Sequence, residues 1–237
     1  MDFKHNWYDG AVVMSMYFKN RDEAGRQIAE ILFHPYGRSK TVILALGEGG
    51  LLVARPIGLR LQIPIYMVAT KEIELPGAFH ERVGTVDQAG DFVYRSDLTQ
   101  GQVDEYVGEY HNHIEAEKIG AMHEINHMMG STGFVEKETL QDKNIILVSD
   151  GLKTAVDLDA VMAFLKPVKI FRLIGAAPVA SIDSIDKMHI ITDEIRVLSP
   201  KENYLETDHY YEENDMPSED EVQQMLAELG QIAPTQA

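Results

Sequence analysis

Residues 144–157, NIILVSDGLKTAVD, decide the fold of this 237-residue chain. The stretch begins with a largely apolar run, passes through a short loop that contains Asp150, and then enters a helical pattern. A strand that leads through a loop into a helix presents free backbone N–H groups and the positive end of the helix dipole, and this arrangement binds phosphate. We therefore predict a phosphate-binding loop here, with Asp150 placed to hold ribose hydroxyls.

An earlier segment, residues 41–69, has the same organisation. The apolar run TVILAL (41–46) is typical of a strand covered on both faces. It ends in GEGG (47–50), is followed by a helical pattern over residues 51–61, and leads into a second apolar run at 63–69. Strands that alternate with helices predict one doubly wound α/β domain with a mainly parallel sheet. Ligands of such sheets bind at the carboxyl ends of the strands.

Other segments complete the predicted domain. Residues 71–110 are rich in glycine and short strand-like pieces, and they predict a flap or hairpin insertion. Residues 110–129 predict a helix. An acidic C-terminal segment, 202–237, contains ten acidic residues and no Lys or Arg. A charge run of this kind is typical of a solvated face, although a partner-binding tail is the alternative.

The composition excludes several classes of protein. The formal charge of −17 argues against a nucleic-acid binder and against docking on anionic membranes, since both need a basic face. No apolar run is long enough for a membrane span. With no cysteine there is no disulfide framework, thiol nucleophile or Cys-ligated metal, which fits a cytoplasmic location.

Five stretches in order along the chain carry a family resemblance. Besides the loop after residue 148, they are residues 18–29 (FKNRDEAGRQIA), 44–54 (LALGEGGLLVA), 70–84 (TKEIELPGAFHERVG) and 210–222 (YYEENDMPSEDEV). Taken together, they resemble the type I phosphoribosyltransferases, in particular a bacterial branch of predicted members. The resemblance implies a single phosphoribosyltransferase-like domain over residues 1–237, with the C-terminal segment packed on the domain or extending from it.

The resemblance also implies roles for individual residues. Members of the family transfer ribose 5-phosphate from phosphoribosyl pyrophosphate (PRPP) to a nitrogen acceptor, assisted by Mg²⁺. Asp150 matches the catalytic acid that holds the ribose. The loop around the 5-phosphate corresponds to Ser149, Gly151, Leu152, Lys153 and Thr154. The pyrophosphate loop corresponds to Glu48, Gly49 and Gly50, together with Lys71.

Four positions depart from the family pattern, and the departures weaken phosphate binding. Ser149 stands where the family has a first acid. Ala155 replaces a glycine whose backbone approaches phosphate, and Asp157 replaces a hydroxyl residue. Glu48 replaces a basic residue in the pyrophosphate loop. Two like charges about 5 Å apart repel by on the order of 3 kcal/mol at an effective dielectric constant of about 20. Among the changes, only the cation of Lys153 favours a phosphate.

A competing motif lies at residues 123–127, HEINH. On a helix, His123 and His127 share one face and bind Zn²⁺ in some hydrolases, with Glu124 as general base. The third ligand position of the longer metzincin pattern is occupied by Gly133, which cannot bind metal. A zinc hydrolase is therefore an alternative that would need a third metal ligand from elsewhere in the chain.

The sequence thus favours a phosphoribosyltransferase-like protein that binds a nucleotide or phosphoribosyl ligand and whose transferase chemistry is weakened or lost. The alternative is an active Mg²⁺-dependent phosphoribosyltransferase. Both hypotheses predict a small phosphorylated ligand and neither a nucleic-acid nor a membrane partner, and a homodimer remains open. Mg²⁺ is expected only if the protein is active.

Overall fold

The fold is described from a computed structural model that covers residues 17–32, 40–77, 81–130, 134–154 and 158–230. The main sheet consists of β1 (Thr41–Leu46), β2 (Ile65–Val68), β6 (Asn144–Val148), β7 (Arg172–Ser181) and β8 (Glu194–Lys201). A second sheet consists of β3 (Thr70–Glu74), β4 (Arg82–Asp87) and β5 (Phe92–Tyr94). The helices are α1 (Arg21–Ile31), α2 (Gly47–Leu61), α3 (Gln100–Met129), α4 (Lys137–Leu140), α5 (Asp159–Leu165), α6 (Ile182–Ile191) and α7 (Glu219–Leu229).

The main sheet is entirely parallel and has the strand order β2-β1-β6-β7-β8. This arrangement confirms the predicted α/β class. After β1 the chain continues to β2 on one side, and it later returns to place β6 on the other side of β1. The carboxyl ends of β1 and β6 therefore form the topological switch point, which is where open α/β sheets bind ligands.

The strands β1, β6 and β7 are buried on both faces of the main sheet. Successive side chains of a strand point to opposite sides, so each of these strands contributes to two cores. In β1, Ile43 and Ala45 belong to one core cluster, whereas Val42 and Leu44 belong to another. The first cluster includes residues of α1, α2, α3 and α7, and the second includes residues of α5 and α6. Burial on two faces explains why the strands read as continuous apolar runs.

The flap region is organised differently from the prediction. The small antiparallel sheet β3-β4-β5 ends at Tyr94. The long helix α3 begins at Gln100, ten residues before the predicted start at 110. Thr99 caps it in a capping box with Gln102. Gly101 and Gly108 lie inside the helix, so they do not mark a loop.

Two further boundaries differ from the sequence pattern. The helical pattern predicted from residue 51 begins at Gly47, so the GEGG stretch forms the first turn of α2. The apolar residues at 168–174 predict a strand, whereas β7 begins at Arg172 and extends to Ser181 through small residues that carry no strong apolar signal. Ser181 then caps α6, a helix that the sequence pattern did not indicate. Within the described ranges, no helix has the length and apolar character that crossing a membrane requires.

Candidate functional site

The two predicted loops meet at the switch point between β1 and β6. Gly49, in the first turn of α2, lies so close to Asp150 that an added Cβ would be 2.1 Å from Asp150 Oδ2. A Cβ on Gly50 would be 2.7 Å from the carbonyl oxygen of Val148. Glycine at both positions is therefore explained by the close approach of α2 to the end of β6.

Asp150 is held by a residue that the sequence analysis did not assign to the site. Arg21 Nε donates to Asp150 Oδ2 at 2.8 Å, and Arg21 Nη2 donates to Asp208 at 2.5 Å. Arg21 is only 4% exposed, and its guanidinium lies 4.6 Å from the ring centre of Tyr211. The only signal in the sequence was the arginine of the FKNRDEAG stretch, which begins at Phe18.

Burial shifts the ionisation of this cluster. Burial raises the pKa of Asp150, and the Arg21 guanidinium opposes that rise. Burial lowers the pKa of Arg21, but its bonds to Asp150 and Asp208 outweigh this effect and leave the pKa above its ordinary value. The pKa of Tyr211 is raised by burial and by the Asp150 charge. Its hydroxyl donates to the Asp150 backbone carbonyl at 2.5 Å. Arg21 and Tyr211 therefore keep their protons at ordinary pH.

Part of the predicted phosphate loop serves the fold. Ser149 is buried, and its hydroxyl donates to the carbonyl of Gly151 and accepts from the Gly151 N–H. The N–H of Leu152 donates to the carbonyl of Val179, which extends the sheet by one residue. The Leu152 side chain is buried in the core. In this structure the backbone N–H groups of Gly151 and Leu152 donate to Ser149 Oγ and to the Val179 carbonyl.

The rest of the loop faces a cavity. Lys153 and Thr154 line a space of about 490 Å³ whose opposite wall is the small sheet. Glu72, Arg82, Gly84, Thr85, Arg95, Ser96, Asp97 and Asp183 complete the lining. The Lys153 Nζ lies 2.5 Å from a carboxylate oxygen of Glu206. Ala155 and Asp157, two of the predicted departures, lie outside the described residues.

Glu48 and Lys71, the charged residues of the predicted pyrophosphate loop, lie on α2 and on β3. Glu48 is half-buried in the first turn of α2, and no described residue forms an ion pair with it. A carboxylate at this position is favoured by the helix dipole. The Lys71 Nζ lies 3.0 Å from a carboxylate oxygen of Glu124 on α3. Lys71 therefore links the small sheet to α3.

The HEINH motif lies on the exposed side of α3. His123, Glu124 and His127 are all exposed. Glu124 pairs with Lys71, and His127 Nδ1 lies 2.5 Å from a carboxylate oxygen of Glu219. Within the described part of the chain, no three His, Asp or Glu side chains come together in a way that could hold a metal ion. Gly133 lies outside that part.

Known proteins resemble this chain in sequence and in fold. The chain is 22% identical over 211 residues to “Putative phosphoribosyl transferase Rv0571c” of Mycobacterium tuberculosis H37Rv, and equally to its counterpart MT0597 in strain CDC 1551. Each alignment covers 86% of this chain and 45% of the relative, so the chain spans about half the length of these curated proteins. The chain is therefore similar in sequence to proteins named as phosphoribosyl transferases.

The three-dimensional comparison supports the fold of the chain. The crystal structure of TT1426 from Thermus thermophilus superimposes with a TM-score of 0.68 and 21% identity. The match covers 90% of this chain and 99% of TT1426. No protein-family model matches the chain. The similarity of the chain to known proteins thus rests on these sequence relatives and on the shared fold.

Proposed function

We propose that the protein binds a nucleotide or another phosphoribosyl ligand at the carboxyl ends of β1 and β6, and that its transferase chemistry is weakened or lost. The observation that carries this proposal is the ion pair between Asp150 and the buried Arg21. The acid expected to hold the ribose is already bound to a cation, and Ser149 provides no second acid.

The pairing bears directly on transferase chemistry. In the family reaction, positive charge builds on the ribose ring while pyrophosphate leaves, and fixed charges around the site stabilise that change. The Arg21 cation offsets the Asp150 carboxylate at the place where negative charge would stabilise the ring. Glu48 adds negative charge where pyrophosphate would develop its own. The Arg21 cation and the Glu48 carboxylate therefore destabilise the transition state of the transfer more than they weaken binding of a ligand in its ground state.

The cavity beside Lys153 and Thr154 supports ligand binding. Its volume of about 490 Å³ lies within the range of small-molecule pockets. Its lining includes the cations of Lys153, Arg82 and Arg95 as well as carboxylates. A ligand with a phosphate near Lys153 would extend its remaining groups toward the small sheet. The proposed partner is therefore a small phosphorylated molecule.

The described residues at the switch point do not form a Mg²⁺ site by themselves. Mg²⁺ prefers several oxygen ligands, usually one or two of them carboxylates, in octahedral geometry. One oxygen of Asp150 accepts from Arg21, and Ser149 is bonded within its own turn. Any Mg²⁺ would have to be held largely by the phosphates of the ligand.

An active phosphoribosyltransferase is the second candidate. The room beside Lys153 and Thr154 favours it, because donor and acceptor must bind together. Isothermal titration calorimetry with Mg²⁺–PRPP, ribose 5-phosphate and a nucleoside monophosphate separates the candidates. We expect ribose 5-phosphate or the nucleotide to bind, and PRPP to bind more weakly than about 100 µM. Tighter PRPP binding with pyrophosphate release would support the active enzyme, and no binding of any of these ligands would overturn the proposal.

The double variant Glu48→Arg, Asp157→Thr tests the electrostatic explanation. It restores the charges that the family pattern has at these positions, so we expect PRPP to bind at least about tenfold more tightly. The variant Glu202→Gln is the control, because it removes an exposed acid outside the two loops. Equal PRPP affinity in the double variant and the natural protein would show that these two acids do not limit binding.

A further inference from the structure

The loop that contains Lys153 is covered by a segment from the far end of the chain. Residues 202–211, here called the strap, follow β8 and cross the carboxyl end of β6. The Tyr211 hydroxyl donates to the Asp150 carbonyl. A Cβ on Gly151 would lie 2.2 Å from the Tyr204 hydroxyl oxygen and 2.7 Å from Thr207 Cγ2. The strap therefore packs directly on the backbone of the predicted phosphate loop.

The strap is anchored by its aromatic residues. Tyr210 and Tyr211 are each 4% exposed. The Tyr210 hydroxyl accepts from the Leu205 N–H, and the Tyr210 carbonyl accepts from the Phe18 N–H. These contacts fix the backbone on both sides of Glu206. The position of the Glu206 side chain above the loop is therefore a built feature of the fold.

The Glu206 side chain itself remains exchangeable. It is 78% exposed, and Lys153 is 40% exposed. Ion pairs between exposed side chains contribute little to stability, so the two groups separate readily. Lys153 also lines the cavity next to Thr154. A modest movement of the lysine side chain can exchange the carboxylate of Glu206 for an anion in the cavity.

We propose that Glu206 determines the affinity of the site by competing with the ligand phosphate for Lys153. This inference rests on the proposed function, because it assumes that a phosphorylated ligand binds beside Lys153. A carboxylate and a phosphate both accept from a lysine ammonium, and they exclude each other from it by like-charge repulsion. The doubly charged phosphate monoester competes better than a singly charged anion does. Glu206 therefore makes the site selective for phosphate monoesters.

Calorimetric titration with ribose 5-phosphate tests this proposal. We expect Glu206→Gln to bind ribose 5-phosphate about three- to tenfold more tightly than the natural protein, because the competitor loses its charge. The matched control is Glu202→Gln, which removes an exposed acid of the same strap that has no ion pair with a described residue. The control should change the affinity less than about twofold.

A double-mutant cycle isolates the role of Lys153. In a Lys153→Ala background, the Glu206→Gln change should give no gain beyond that of Glu202→Gln. Hydrogen exchange of residues 202–211 in each variant checks that the strap stays in place. The same gain with and without Lys153 would overturn the proposal, because the effect would then be one of general charge.

The titration also separates the two proposals. If the natural protein and Glu206→Gln bind ribose 5-phosphate equally well, competition by Glu206 is overturned while the proposed function stands. If both proteins bind ribose 5-phosphate and Glu206→Gln binds it more tightly, both proposals are supported. If neither binds ribose 5-phosphate or a nucleoside monophosphate, both are overturned.

Discussion

Arg21 Nε lies 2.8 Å from Asp150 Oδ2 and joins the start of α1 to the end of β6 across 129 positions of sequence. Both groups are largely removed from water, and Arg21 also binds Asp208 near the C-terminal end of the strap. This one side chain thus connects the first helix, the switch point and the segment that covers it. Asp150 is oriented and neutralised by the same contact.

Removing the Arg21 cation should destabilise the protein strongly. Arg21→Ala leaves Asp150 buried without its partner, which typically costs about 3–5 kcal/mol in the free energy of unfolding. Urea denaturation followed by circular dichroism measures the loss. Arg26→Ala is the control on the same helix, because Arg26 is 73% exposed, and we expect a change below about 0.5 kcal/mol. A loss near that of the control would show that the Arg21–Asp150 pair has no structural importance.

The packing of Gly49 predicts opposite effects of alanine at two glycines. In Gly49→Ala the new Cβ would meet Asp150 Oδ2, and the Asp150 side chain cannot swing away because Arg21 holds it. We expect a loss of about 1–3 kcal/mol in the free energy of unfolding. Gly120 on α3 is exposed, and a Cβ added there would have no neighbour within 4 Å, so Gly120→Ala should stabilise by about 0.5–1 kcal/mol.

Thermal and urea denaturation of the two glycine variants provide the comparison. Because both substitutions add one methyl group, the difference between them reports the surroundings of each site. If Gly49→Ala were as stable as the natural protein, the close contact between α2 and Asp150 would be refuted.

Tyr106 predicts a pH-dependent contribution to stability. Its hydroxyl donates to Glu81 at 2.6 Å and so links α3 to the small sheet, and this bond raises its pKa to about 12. The native pKa lies above the unfolded value, so the contribution is complete below about pH 10 and is lost as the pH rises through the native pKa. Tyr106→Phe should cost about 1 kcal/mol in the free energy of unfolding near neutral pH.

Urea denaturation of Tyr106→Phe and the natural protein at about pH 8 and about pH 11 tests the sign. The advantage of the natural protein should shrink at the higher pH. Tyr110→Phe, a change on the same helix, controls for the general effect of alkali. An advantage that grew with pH would contradict the hydrogen bond to Glu81.

We expect that the HEINH motif does not bind a stoichiometric zinc ion. A catalytic zinc needs three protein ligands, and Glu124 and His127 are engaged with Lys71 and Glu219. We expect elemental analysis of untagged, dialysed protein to show well below one zinc per chain. The double variant His123→Ala, His127→Ala should keep its melting temperature. One equivalent of zinc that disappears in this variant would restore the hydrolase hypothesis.

The sequence determined the parts of the fold that depend on local patterns. The apolar run of β1, TVILAL, and the run NIILV of β6 predicted buried parallel strands. The start of α3 was missed because Gly101 and Gly108 read as loop residues. In the structure, the cap at Thr99 and the packing of one helix face outweigh their low helix propensity.

Only the tertiary structure decided what the site residues touch. Arg21 meets Asp150 across 129 positions and Lys153 meets Glu206 across 53, and no periodicity of sequence encodes such pairs. They form because the order of the parallel strands brings distant segments to one edge of the sheet. The sequence resemblance thus located the loops. The path of the chain determined that the buried cation of Arg21 pairs with Asp150 and that the carboxylate of Glu206 pairs with Lys153.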